Sequence, residues 1–156
     1  MGKPSGSWQT NKETVRITVK EVEYAAFSLA RKLMPYDEPI PDFGTRFPKI
    51  LESCIETPHV TYSKKNLYPR FVDKASILFY LMIKNHPFQN GNKRIAIMSL
   101  LYFLYKNGKW LEISNNELYR VAKDVAESTP EDRQRILRSL QKLLQKYGIG
   151  FERENL

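Results

Sequence analysis

The chain carries a single cysteine, Cys54, among 156 residues, so no internal disulfide can form and a disulfide-stapled secreted scaffold is excluded. A reducing cytoplasm is the expected setting. Ile50, Leu51 and Ile55 surround Cys54 at helical spacing and make it a small core residue rather than a nucleophile. Histidine is equally scarce, with only His59 and His86, and no spacing links them to Cys54 as a metal site. Long apolar runs are missing too. The longest, Ile95 to Tyr105, includes Ser99 and falls well short of the roughly 20 residues a membrane span needs. The N-terminus, Met1 to Lys12, is polar with Gly, Ser and Pro and lacks the apolar core of a secretory signal. There is no internal repeat, low-complexity tract, zinc-finger spacing or RNA-binding signature.

What is present is an ordinary globular balance, 42% hydrophobic and 27% charged, in a length that suits one domain. The formal charge of +8 and the pI near 9.5 suit a polyphosphate ligand, an acidic protein or nucleic acid. The cations are spread along the chain with no dense arm, so nucleic acid is not the expected partner.

Helical signals dominate. Thr18-Val-Lys-Glu21 has capping-box spacing and opens a helix over 19–34, stopped by Pro35. A second follows Thr45 and ends before Pro58, and a third spans Tyr68 to Asn85. Asn92 to Asn107 is apolar nearly all round and marks a helix buried on most sides, with Gly108 as its stop. Ser114-Asn-Asn-Glu117 opens a helix to Glu127, and Thr129-Pro130 one over 130–147 that stops at Gly148. Residues 58–67, β-branched and aromatic around a polar turn, form the one extended candidate, a small hairpin. The expected fold is all-α, a helical bundle around a central buried helix with a short β-hairpin. Residues 1–17 read as a flexible leader, 18–147 as the domain and 148–156 as a tail.

Chemistry concentrates in residues 86–94, His-Pro-Phe-Gln-Asn-Gly-Asn-Lys-Arg, at the start of the central helix. His86 is the natural general base, titrating nearest neutral pH. Gly91 lets backbone approach an anion, and Asn92 can cap the helix and turn its amide toward phosphate oxygens. Lys93 and Arg94 sit in the first turn, where the helix dipole disfavours cations unless an anion is bound, and Arg94 can fork onto two oxygens. This is a phosphate site with a proton acceptor beside it.

The segment resembles the Fic/Doc family, whose motif is His-x-Phe-x-(Asp/Glu)-(Gly/Ala)-Asn-(Gly/Lys)-Arg, and matches every specified position except the acidic one. The resemblance extends over 18–147 and favours the Doc (death-on-curing) branch. Lys93 stands where adenylylating members usually have glycine, and Ile97 where they usually have a second arginine. It implies a toxin that transfers phosphate from ATP or another nucleoside triphosphate to a Ser, Thr or Tyr hydroxyl of a target protein, with His86 as base and Gly91, Asn92, Lys93 and Arg94 on the phosphates. AMP transfer is the alternative. Mg²⁺ is implied as well, and Asn90, in place of the acidic ligand, is the candidate to hold it. That departure leaves open a catalytically weak nucleotide-binding module. Val60, Thr61, Tyr62, Ser63, Lys64 and Lys65 correspond to the family's target-docking flap. No Ser/Thr-x-x-x-Glu-(Gly/Asn) inhibitory segment occurs, which implies a separate antitoxin protein.

Overall fold

Thr18 starts the first helix as its spacing predicts: the Glu21 amide donates to Thr18 Oγ1 at 3.2 Å and the Thr18 amide donates to Glu21 Oε1 at 2.9 Å. The computed structural model describes residues 3–4, 8, 13–34 and 39–151. α1 (Val19–Tyr24) continues through a π-helical stretch, Ala25–Ala30, into α2 (Arg31–Leu33). Ala25, Ala26 and Ala30 are fully buried, so the widened turn presents small side chains and lies close against the central helix. Pro35, the expected stop, lies outside the described residues.

α3 (Pro48–Glu56) begins after a separate 3-10 turn, Phe43–Thr45, and runs into another, Thr57–His59. The expected hairpin follows. β2 (Thr61–Tyr62) pairs antiparallel with β3 (Lys65–Asn66), and Ser63 and Lys64 both take positive φ, the tight turn whose twist suits a hairpin. Lys74 roots it: its ammonium donates to the carbonyls of Pro58 and Tyr68, at the two ends of the segment.

α4 (Phe71–Lys84) and α5 (Asn92–Lys106) make the core pair. Ile95, Ala96, Ile97, Phe103 and Leu104 of α5 are fully buried, and the helix touches α4, the π-helical stretch and α6 (Asn115–Glu127). Burying apolar area on every side explains why α5 lacks a polar face. Ser114 Oγ accepts the Glu117 amide at 3.1 Å and caps α6. α7 (Arg133–Tyr147) starts one turn later than expected, because Pro130–Asp132 form a 3-10 turn and Thr129 Oγ1 donates to Asp132 instead of capping backbone.

The structure corrects the sequence reading at one level. The hairpin is not the only extended element: β4 (Lys109–Leu111) and β5 (Gly148–Gly150) pair antiparallel, and β1 (Lys3–Pro4) pairs with the other edge of β5. Parts of the expected leader and tail therefore belong to the fold. Trp8 is only 5% exposed, its indole Nε1 donates to the Ile149 carbonyl at 2.9 Å, and its ring meets Phe71 edge-on. Gly148 does end α7, yet by close approach rather than by a left-handed turn, since a Cβ there would lie 2.6 Å from the Trp8 ring. The remaining residues of 1–12 and those of 152–156 lie outside the described set. No helix among the described residues is long and apolar enough to cross a membrane.

His59 sits at the root of the hairpin with its ring against Phe103. Burial, with Arg16 and Lys74 adding, lowers its pKa from 6.5 to about 4. The folded state therefore resists a proton that the unfolded chain accepts. Stability should fall as pH drops from about 6.5 to about 4, and level off below. In urea titrations across that window, His59→Gln should show a shallower loss than the parent chain.

Candidate active site

Residues 85–91 form a loop between the two core helices, and its start is fixed from outside. Lys84, at the end of α4, donates to the carbonyls of Ala126 and Ser128 at 3.2 and 2.6 Å, tying α4 to the C-terminus of α6. His86 then takes φ +49° and is exposed. A non-glycine residue in that region stores about 1–3 kcal/mol of backbone strain, which persists only because the surroundings impose it.

Asn92 supplies the imposition. Its Oδ1 accepts the Phe88 amide at 3.0 Å and its Nδ2 donates to the Phe88 carbonyl at 2.8 Å, closing the loop on itself. The side chain is 9% exposed and both ends are committed to protein backbone. Asn92 is thus a loop clamp. The same two bonds fix which end of the amide is nitrogen. Nδ2 also lies 3.4 Å from His86 Nδ1, a contact too long to set the imidazole tautomer.

Gly91 has φ +74°, and a Cβ there would meet Ile40 Cγ1 at 2.9 Å and Arg94 Nη2 at 3.6 Å. Only glycine fits on both counts. The segment leading to α3 leans on the loop at three points: Ile40 on Gly91, the Phe43 ring 5.8 Å from the Phe88 ring, and the Phe47 amide donating to the Pro87 carbonyl at 2.9 Å. Sequence reasoning gave this segment no part in the site, since its partners lie some forty positions along the chain.

α5 starts with no side-chain cap, and its first backbone bond is Ile95 to the Gly91 carbonyl at 3.0 Å. The amides of its opening turn have no helical acceptor and point out of the helix end. Arg94, 3% exposed, donates from Nη1 to the Met34 carbonyl at 2.9 Å, while its Nη2 is buried without a partner. Its fork is half used, so it can give an anion one nitrogen rather than two. An unmet donor on a buried cation costs free energy that a bound anion returns. Lys93 is half-buried beside it.

Magnesium prefers carboxylate and phosphate oxygens. The motif offers the amide oxygen of exposed Asn90, and no three His, Cys, Asp or Glu side chains gather anywhere among the described residues. This donor set does not fit a magnesium ion held by the protein. Cys54 is no nucleophile either, because burial pushes its thiol up to about 12. An open groove of about 490 Å³ between α6 and α7, floored by Val125, Ile136 and Leu140, contains none of the motif residues.

Residues 16–104, more than half of the chain, match the family model described as Fic/DOC family. The chain belongs to the Fic/DOC family. It is also 36% identical over 59 residues to "Toxin Doc" of Mycolicibacterium smegmatis (strain ATCC 700084 / mc(2)155), a match covering 38% of this chain and 45% of that protein. The chain thus spans less than half the length of the relative it matches. No solved structure matches it significantly. The Fic/DOC region runs from the start of the first helix to the end of α5's buried face, and so takes in the 86–94 loop, the leaning segment and the hairpin.

Two substitutions test the loop. Asn92→Ala leaves the Phe88 amide and carbonyl unmet and should cost about 2–4 kcal/mol in urea unfolding. Gly91→Ala, strained by φ and by Ile40, should cost about 1–3 kcal/mol and weaken binding of inorganic tripolyphosphate.

Proposed function

We propose that this Fic/DOC chain is a Doc-like toxin that transfers the terminal phosphate of ATP, or another nucleoside triphosphate, to a hydroxyl of a target protein. The observation that carries the reading is the meeting of an exposed histidine with an anion-seeking helix end: His86 beside the uncapped start of α5 and the unpartnered Nη2 of Arg94. In this reading the opening amides of α5, with Lys93 and Arg94, hold the phosphates and take up developing negative charge. His86 accepts the proton of the attacking hydroxyl, worth about 10²–10⁴-fold in rate. Hydroxyl oxygen bonds to the terminal phosphorus, the bond to the β-phosphate oxygen breaks, and the diphosphate leaves.

Phosphate rather than AMP transfer is supported by Lys93 in the first turn and by Ile97, which is fully buried in the core where adenylylating members would place a cation. The hairpin from Val60 to Lys65, exposed throughout with Tyr62 at 74%, suits docking of an extended target segment by strand addition. A separate antitoxin protein and a cytoplasmic setting complete the proposal. Asn90 favours one competing reading, a binding module that keeps the cradle and has lost turnover.

The deciding measurement compares label moved to protein in a lysate from γ-labelled and α-labelled ATP, each beside His86→Ala. Label from γ alone, lost in His86→Ala, is expected. Label from α would replace phosphate transfer by AMP transfer, and binding of ATP without transfer from either would favour the module.

A further inference from the structure

Among the described residues, four buried side-chain nitrogen or oxygen atoms lack a hydrogen-bond partner: Ser76 Oγ, Ser99 Oγ, Arg94 Nη2 and Arg46 Nε. The two that belong to cations both flank the 85–91 loop. Arg94 Nη2 lies under Gly91. Arg46 belongs to the segment that leans on the loop. Its guanidinium stacks 4.2 Å over the Phe43 ring, and Phe43 in turn packs on Phe88. Its Nη1 donates to the Phe43 carbonyl at 3.1 Å, and the next residue, Phe47, bonds to Pro87, the neighbour of His86. Among the described residues no carboxylate pairs with Arg46 or Arg94, although ion pairs form at Arg16, Arg31, Arg70, Lys106 and Arg135. Two cations with buried, unmet donors thus stand at the loop and in the segment that leans on it, with no ion pair among the described residues.

We propose that Arg46 is a second guanidinium of the phosphate site, and that Arg46 and Arg94, rather than a bound magnesium ion, neutralise the polyphosphate. This deepens the nucleotide-binding part of the function proposed above and rests on it. The argument from Asn90 is electrostatic. A carboxylate at position 90 would repel a bare triphosphate and demand a metal between them. An amide carries no charge, so a bare triphosphate meets no repulsion there, and guanidinium groups supply planar donors matched to phosphate oxygens. Stacking on Phe43 restrains Arg46 before any ligand arrives, which lowers the cost of ordering it on binding.

Calorimetric titration of the full chain with ATP, in magnesium and in EDTA, tests this. Affinities within about threefold of each other are expected. Arg46→Gln should weaken binding about 10–100-fold in both buffers, the range for a hydrogen bond to a charged group. Arg46→Lys, which keeps the charge but loses the fork, should fall between, and it decides the matter if Arg46→Gln melts early. Asn90→Asp should weaken binding in EDTA at least tenfold and recover with magnesium. Binding that vanishes in EDTA overturns the metal-free neutralisation, and unchanged affinity in both Arg46 variants overturns the role of Arg46. Tripolyphosphate separates the two levels: if it binds with the same Arg46 dependence while ATP does not, the anion site stands and the nucleotide reading fails. If neither binds, both fail.

Discussion

The side-chain amide of Asn92 is the constraint on which the site depends. One buried group satisfies both backbone polar atoms of Phe88, and in doing so it sets the curvature of the loop and the left-handed backbone of His86. Each of these would otherwise carry a free-energy cost with nothing to offset it. Fixing the loop also fixes the direction of α5, because Gly91 can turn into the helix only if the chain arrives at that angle. Local strain and helix direction therefore share one cause.

Electrostatics adds a second layer. The first turn of α5 collects backbone N–H dipoles, Lys93 and Arg94 in a region where the helix dipole already raises the potential. The fold accepts this because Arg94 is partly satisfied by a carbonyl at the end of the first helix, which removes some of its desolvation cost while keeping its charge.

Much of this was legible in the sequence where signals are contiguous. The central helix is legible in its unbroken apolar run, α6 in Ser114 and Glu117, and the loop that joins the core helices in nine consecutive residues. What the sequence hid depends on distance along the chain. Arg94 and its acceptor Met34 are 60 positions apart, and Trp8 and Ile149 are 141 apart, so neither pairing has a local signature. Strands β4 and β5 have three residues each, too few for an alternation to stand out, and they exist because they find each other. The clamp of Asn92 on Phe88 has no sequence signature for a related reason: an asparagine at a helix start can serve a ligand or its own loop with the same residue type.

The three-stranded sheet has a consequence for the order in which the molecule assembles. Its middle strand, β5, comes last in sequence, with β1 from the opening residues on one side and β4 on the other. During synthesis, residues 3–4 and 109–111 emerge well before their shared partner. The sheet cannot close until residues 148–150 have left the ribosome, and this long-range step is the slow kind. Trp8, whose indole bonds to the Ile149 carbonyl, waits with it. A nascent chain that has already displayed the whole 86–94 loop is thus still missing the clasp that joins its two ends.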